Sequence, residues 1–334
     1  MSGSVAHVGG RWGTDPVDVA HDLRAVEGGG RWAVALPYAG TPVCIRFADW
    51  SDEPPDEIPA WRGPAADAWA TSMSEAAYCA AVDVTRERIA RGDLYQANIC
   101  RILNAPLDQE ASLLALHARL LGANPAPFAA LIDVPEAGVG IVSASPERFL
   151  RRRGDVLMSS PIKGTGQTAD DLQDKDVAEN VMIVDLVRND LSKVCEPGSV
   201  EVPNLLRTEA HPGLVHLVSD VTGRLMPGTP WTAIIDATFP LGSVTGAPKS
   251  SALRLIHELE PASRELYCGA IGWIDGDTGD GELAVAIRTF WRRAGMLHFG
   301  TGAGITWGSD PGAEWQETVL KASRLITLAS GASR

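Results

Sequence analysis

From Ser74 onward, apolar and polar positions alternate with a helical period. Tyr78, Val82 and Ile89 recur on one face, the Ser74 hydroxyl stands where a cap belongs, and Gly92 marks the end. The next run, LYQANICRIL (94–103), reads as a strand. SLLALHARLL (112–121) predicts a second helix, and FAALID (128–133), GVGIVSAS (138–145) and RFLRRRGDVLMSS (148–160) predict a meander of short strands. A long helical stretch follows from about Asp171 to Leu191, then SVEVP (199–203) and LVHLVSDVTGRL (214–225) alternate as strands do. Thr229-Pro230 offers an N-cap and first-turn proline for a helix through Ala237, a device repeated at Ala247-Pro248 and Asp310-Pro311. GAIGWID (269–275) and GELAVAIRTFWRR (281–293), joined by the turn GDTGD (276–280), predict a β-hairpin. The strand MLHFGTGAGI (296–305) and a final helix from about Pro311 to Leu328 complete the pattern. Before Ser74, short apolar runs such as Trp32 to Leu36 sit between GGG (28–30) and DEPPDEIP (52–59), which predicts a few strands and loops. Strands that come in runs, rather than alternating singly with helices, argue for an α+β chain with antiparallel sheets.

Composition narrows the partners. The 29 Lys+Arg against 42 Asp+Glu leave a net charge of −13, which excludes a sequence-independent grip on nucleic acid or on an anionic membrane. A negatively charged substrate therefore needs a local basic or metal site. No stretch approaches the roughly 20 apolar residues of a membrane span, and the opening MSGSVAHVGGRWG carries no secretion or lipidation signature, so a cytoplasmic location is expected. The five scattered cysteines contain no CxxC and read as small buried side chains in a reducing compartment.

Two acidic pairs stand at i,i+3 on predicted helices, Asp176 with Glu179 and Glu314 with Glu317, each pair on one helix face. Taken singly, such a pair is what a solvated helix face presents; two facing pairs have the chemistry to hold a hard cation. Glycine clusters at Lys163-Gly164-Thr165-Gly166, at 241–249 and at 300–304 let backbone N–H groups approach an anion, although none is a phosphate-loop pattern and turn geometry alone accounts for any one of them. Lys163 would be a nucleophile if its amine were made neutral, and Glu147 an acid if burial raised its pKa; as isolated residues both read as surface charges.

Read in order, the pieces resemble one family. GDLYQANI (92–99), SPERF (145–149), PIKGT (161–165), AENVMIVDLVRNDL (178–191), HLVSDVTG (216–223), FPLGSVTGAPK (239–249), LYCGAIGW (266–273), AIRTF (286–290), GAGI (302–305) and EWQETVLKA (314–322) are similar to the chorismate-utilising enzymes, which include anthranilate, aminodeoxychorismate, isochorismate and salicylate synthases. The resemblance covers about Ser74 to the C-terminus. It implies a single large α+β domain of two packed antiparallel sheets flanked by helices, with 1–73 as a shortened strand and loop segment of that domain and 74–334 as the chorismate-binding catalytic region. Members with a full-length N-terminal region have more chain before GDLYQ than the 91 residues here, and the LLES-type segment used to bind tryptophan is not evident, so no tryptophan site is expected.

Within the family, Pro161-Ile162-Lys163-Gly164-Thr165 looks like the aminodeoxychorismate synthase component I members, where anthranilate synthases typically carry alanine at the lysine. Gln96 stands where isochorismate and salicylate synthases carry the lysine that activates water. The resemblance implies Mg²⁺ held by Glu179 and Glu317, with Asp176 and Glu314 on its waters. It implies Lys321 on the ring carboxylate, Arg288 and Tyr267 on the enolpyruvyl carboxylate, and amides of Gly164, Thr165, Gly302 and Gly304 as further donors. His216 and Ser243 would line the ring near C4. In the implied mechanism Glu147 protonates the departing C4 hydroxyl while the Lys163 amine adds at C2. Ammonia from a separate glutamine amidotransferase subunit then attacks C4 and expels the lysine, giving 4-amino-4-deoxychorismate for 4-aminobenzoate and folate. The alternatives are an anthranilate or 2-amino-2-deoxyisochorismate synthase, in which ammonia adds at C2, and a catalytically silent chorismate-binding protein.

Overall fold

The computed structural model describes residues 3–166, 168, 174–211 and 214–331. Four strands open the chain: β1 (Val5–Val8), β2 (Arg11–Ala20), β3 (Arg31–Leu36) and β4 (Val43–Ser51). A short β5 (Ala70–Thr71) leads to α1 (Glu75–Ala90), β6 (Gln96–Pro106) and α2 (Leu113–Ala123). Next come β7 (Phe128–Val134), β8 (Val139–Ser145), β9 (Arg148–Arg153), β10 (Val156–Ser160) and β11 (Ile162–Gly166). They are not the continuous meander expected: β8 pairs with β7 and β17, whereas β9 pairs with β10 and β16, so the chain changes layers between them at the Glu147 corner. Then come α3 (Asp174–Ser192), β12 (Glu201–His211), β13 (Leu214–Arg224), α4 (Trp231–Thr238), β14 (Gly246–Ala247) and α5 (Lys249–Leu259). The chain closes with β15 (Ala270–Asp275), β16 (Gly281–Val285), β17 (Thr289–Arg293), β18 (Met296–Ile305) and α6 (Pro311–Ala329).

The caps behave as hydroxyl and carboxylate caps should. Ser74 Oγ accepts from Ala77 N, Ser112 Oγ from Ala115 N, and an Asp310 carboxylate oxygen from Ala313 N at 2.9 Å, while Gly92 adopts φ +82° past the end of α1. Thr229 does not cap α4. Its hydroxyl donates back to Met226 O at 2.7 Å, and Pro230 itself is the N-cap, as Pro248 is for α5. The part of the third long helix expected at 171–173 lies outside the described residues.

Every strand pairing is antiparallel among the described residues. One run is ordered β6, β18, β17, β8, β7, β1, and the other β2, β4, β3, β15, β16, β9, β10, β13. Two packed antiparallel layers were expected; the two runs are also hydrogen-bonded into one network, because the β1–β2 hairpin belongs to both. Its tip is Gly9-Gly10, both at positive φ, as a two-residue turn matched to strand twist requires. Ile102 and Ile132 of the first run and Trp32, Ile271 and Leu283 of the second share one apolar core, so the layers face each other. α2 and α6 cover the other face of the first run through Leu113, Leu116, Ala322 and Leu325, while α1 and α5 cover β6 near Ile99. No helix among the described residues is long and apolar enough to cross a membrane.

One sequence-level expectation fails at an informative place. GELAVAIRTFWRR is two strands rather than one: β16 pairs with β15 and β9, whereas β17 pairs with β8 and β18 in the other layer. The chain crosses between layers at Ala286-Ile287-Arg288, with Arg288 at φ +51°. A non-glycine residue in that region is costly and needs its surroundings to hold it.

Candidate active site

Lys163 lies at an irregularity. β11 pairs with β13 at Ile162 opposite Val218 and at Thr165 opposite His216, and the register shifts between them, where Gly164 takes φ +81°. A bulge of this kind re-aims one side chain, and only glycine follows it without strain. The Lys163 ammonium comes to 3.9 Å from Glu179 Oε2, and both side chains are largely buried. Glu179 is fixed because its helix is sewn to β13: Asn180 Nδ2 donates to Leu217 O at 3.0 Å, and Ser219 Oγ donates to Asn180 Oδ1.

Glu147 occupies the corner between β8 and β9. Its carbonyl accepts from Val285 N at 3.0 Å, and Ser145 Oγ donates to Val285 O at 2.7 Å, which ties the corner to the last residue of β16. The carboxyl is buried, and its Oε1 has no hydrogen-bond partner in the protein. Burial pushes its pKa up to about 7, against the opposing pull of the Lys163 ammonium, of hydrogen-bonding contacts from the Ser243 side chain and the Ile162 backbone, and of the Arg288 guanidinium. Arg288 is half-buried; burial lowers its pKa and the Glu147 charge opposes that shift. The interlayer crossing thus delivers Arg288 to the same place as Glu147 and Lys163. Ser243, in the short turn 242–244, is buried against the Glu147 carboxyl and interacts with it, although its Oγ makes no well-formed hydrogen bond.

Gln96, at the start of β6, approaches Glu179 from the other side, with Nε2 3.5 Å from Oε2. It lies over Gly304, where a Cβ would meet Gln96 Nε2 at 2.3 Å. Gly300, two positions earlier than Gly302 on β18, packs against the ring of buried Tyr267, so a Cβ there would sit 2.0 Å from Tyr267 Cγ. Burial drives the Tyr267 hydroxyl pKa upward. Lys321 reaches from α6 to donate to Gly302 O at 3.2 Å, and pairs with Glu317 Oε1 at 2.6 Å. The glycines of β18 therefore form a floor, approached by Gln96 at Gly304, by Lys321 at Gly302 and by Tyr267 at Gly300, with Glu179 beside Gln96 and Glu317 beside Lys321. His216 is buried on β13 opposite Thr165.

Asp176 and Glu314 stand one helical turn before Glu179 and Glu317 on α3 and α6. Among the described residues, no three His, Cys, Asp or Glu side chains close into a metal cage. Glu179 of α3 lies beside Lys163 and Glu317 of α6 beside Lys321; one carboxylate from each helix would suit a cation that completes its shell with waters and substrate oxygens, which is the habit of Mg²⁺.

Sequence reasoning did not pick out the residues that hold this arrangement. Buried Arg264 pairs with Glu260 at 2.6 Å and donates to Val244 O and Asn98 O, joining the end of α5 to β6 and to the Ser243 turn. Asp190 of α3 accepts from Lys249 at the start of α5 at 2.7 Å and from Lys193 at 2.8 Å. A buried i,i+4 Glu-Arg pair was the available signal for the first; nothing local in the sequence announces the second.

A family model described as chorismate binding enzyme matches residues 43–327. The chain is 40% identical over 273 residues to aminodeoxychorismate synthase component 1 of Klebsiella aerogenes, covering 78% of this chain and 59% of that protein. It is 42% identical over 259 residues to an anthranilate synthase component 1 of Haloarcula marismortui, covering 73% and 52%. The chain thus spans between half and three-fifths of the length of these relatives. Anthranilate synthase component I of Streptococcus pneumoniae superposes with a TM-score of 0.77 at 26% identity, covering 90% of this chain and 80% of that one. The menaquinone-specific isochorismate synthase of Escherichia coli shares the fold, with a TM-score of 0.81 at 18% identity and coverage of 98% and 88%.

Proposed function

Because the chain belongs to the chorismate binding enzyme family, we propose that it acts on chorismate and carries out the component I reaction of an aminodeoxychorismate synthase. The observation that carries this reading is Lys163, set by the bulge of β11 beside Glu179 and within electrostatic reach of buried Glu147. Relatives named for anthranilate synthesis are equally similar overall, so overall likeness does not choose between amination at C4 and at C2, and Lys163 is what supports C4.

Chorismate presents two carboxylates and a C4 hydroxyl that leaves poorly. In the proposed reaction Arg288 holds the enolpyruvyl carboxylate with its planar guanidinium, and Tyr267 supports it. Lys321 meets the ring carboxylate. Glu147 enters protonated and gives its proton to the departing C4 oxygen, which leaves as water, while Lys163, its ammonium having first lost a proton to solvent, bonds through the neutral amine at C2 and the ring double bond shifts. Ammonia then bonds at C4, the double bond returns, and the C2–N bond to lysine breaks. Dividing one hard displacement into two is what a covalent nucleophile contributes. Mg²⁺ held by Glu179 and Glu317, with Asp176 and Glu314 on its waters, would supply neutralisation of the ring carboxylate in an acidic protein. The ammonia would be delivered by a separate glutamine amidotransferase subunit, and the product would feed 4-aminobenzoate and folate.

The test is a mass-spectrometric product assay with chorismate, Mg²⁺ and ammonium, comparing the wild type with Lys163→Ala. Wild-type 4-amino-4-deoxychorismate, lost in the variant, is the expected result. Anthranilate or 2-amino-2-deoxyisochorismate from the wild type would place the chain with the C2-aminating members, and chorismate binding without turnover would make it a silent binder.

A further inference from the structure

The Glu147 carboxyl and the Ser243 hydroxyl interact with each other, yet neither Glu147 Oε1 nor Ser243 Oγ makes a well-formed hydrogen bond. Both residues line a small cavity that is also bounded by Leu241, Val187 and Asp190. Its volume open to a water centre is about 20 Å³, room for roughly one molecule. Buried polar atoms in folded proteins nearly always have a partner, and this cavity, though largely apolar, brings Glu147, Ser243, Ser159, Thr238 and Asp190 to one space, enough polar groups to hold a water. Asp190, in the same wall, is itself buried, yet its carboxylate is held by Lys249 at 2.7 Å and by Lys193 at 2.8 Å, and the Lys193 side chain is half exposed. The charged groups that face Glu147 are Lys163 of β11 and Arg288 of the interlayer crossing, with Asp190 of α3 across the cavity.

We infer that this cavity holds an ordered water bonded to Glu147 and Ser243, and that Asp190 is a positioning residue that connects this water to the Lys193 ammonium and so to solvent. The inference rests on the proposed role of Glu147 as proton donor. Once Glu147 has given its proton to the leaving hydroxyl, its carboxylate takes one from the water. The water is restored by a proton passed from the Lys193 ammonium through the Asp190 carboxylate, and Lys193 recovers its own from bulk solvent. No electrons change hands. The route lets the acid be recharged while substrate fills the site.

The experiment combines a high-resolution crystal structure of the full chain with kinetics of Asp190→Asn and Val187→Ile. The second variant adds a methylene to the cavity wall and leaves both lysine pairs intact, so it reports even if Asp190→Asn folds poorly. The expected result is density for the water in the wild type, its loss in Val187→Ile, and a fall in kcat of about tenfold in either variant. KM for chorismate should stay within about twofold, and the solvent deuterium isotope effect on kcat should rise, which a merely structural role would not produce. An active wild type with an empty cavity, or a Val187→Ile enzyme with unchanged kcat and isotope effect, overturns the relay alone. Water density in a wild type that makes no product from chorismate would sink the functional reading of Glu147, and the relay with it.

Discussion

Glu179 meets two groups at once: its Oε2 is 3.9 Å from the Lys163 ammonium and 3.5 Å from the Gln96 amide nitrogen. The carboxylate therefore joins the strand that carries the proposed nucleophile to the strand that lines the glycine floor. If it also serves a cation, as its pairing with Asp176 on one helix face suggests, Glu179→Gln should do more than slow the reaction. The Mg²⁺ concentration giving half-maximal rate should rise by about 10–100-fold, the range seen when metal-site support is removed. A Mg²⁺ titration of initial rate measures this. A variant that is slower at every Mg²⁺ concentration with an unchanged midpoint would leave Glu179 a holder of Lys163 and no more.

As the proposed proton donor, Glu147 would set the pH dependence. Its carboxyl is raised to about 7 by burial, so the protonated form needed by a proton donor is populated below neutrality and lost above it. Turnover should fall on the alkaline side of about pH 7, and Glu147→Gln should lose about 10²–10⁴-fold together with that alkaline limb. Stability has the same sign. A carboxyl whose folded pKa lies above its unfolded value contributes nothing unfavourable below the unfolded pKa and becomes a burden as pH rises towards 7. The thermal midpoint of Glu147→Gln relative to wild type should therefore increase between pH 5 and pH 8, which a pair of melting series can read.

Gly300 is set against the Tyr267 ring, and a Cβ at that position would lie 2.0 Å from Tyr267 Cγ. Tyr267 is buried and its backbone is fixed by a turn bond to Arg264 O at 2.8 Å, so the ring has little room to retreat. Gly300→Ala should cost about 1–3 kcal/mol, the usual range for overpacking, and displace Tyr267 from its place beside the floor. Denaturant unfolding gives the first quantity, and a raised KM for chorismate with a smaller change in kcat would report the second.

Much of this architecture was readable from period and punctuation. Ser74 and Asp310 cap their helices as short polar side chains ahead of an apolar period should, and β7, β8, β9 and β10 all lie where strands were expected, although the layer change between β8 and β9 breaks the expected meander. The residues brought together around Lys163 were legible only through the family resemblance, because Glu147, Lys163 and Arg288 are separated along the chain and none is locally unusual. What stayed hidden is tertiary in origin. No property of AIRTF says that the chain changes layers at Arg288, since the break is imposed by which strands accept β16 and β17 as neighbours. The prolines before α4 and α5 misled for a related reason: a Pro at the N-cap leaves no side-chain oxygen to accept from the first turn, and the preceding Thr229 turns back to its own loop.

Beneath the glycine floor the fold depends on one buried ion pair. Arg264 and Glu260 are almost fully enclosed, 2.6 Å apart, and most of their remaining valences are used: Glu260 Oε1 also accepts from Cys100 N at 2.8 Å, and Arg264 donates to Val244 O and Asn98 O, each at 2.8 Å. Breaking such a pair strands the other charge, so Glu260→Gln or Arg264→Met alone should each cost about 3–5 kcal/mol. Replacing both with apolar residues of similar volume should recover part of that loss in charge terms, but not the three backbone bonds, two to carbonyls and one from Cys100 N. The double variant should therefore remain less stable than wild type, though by less than the two single losses added together. A double-mutant cycle by urea denaturation measures this coupling. Strict additivity would mean that the pair contributes nothing beyond its separate bonds to the backbone, and that the tie between α5, β6 and the Ser243 turn lies elsewhere.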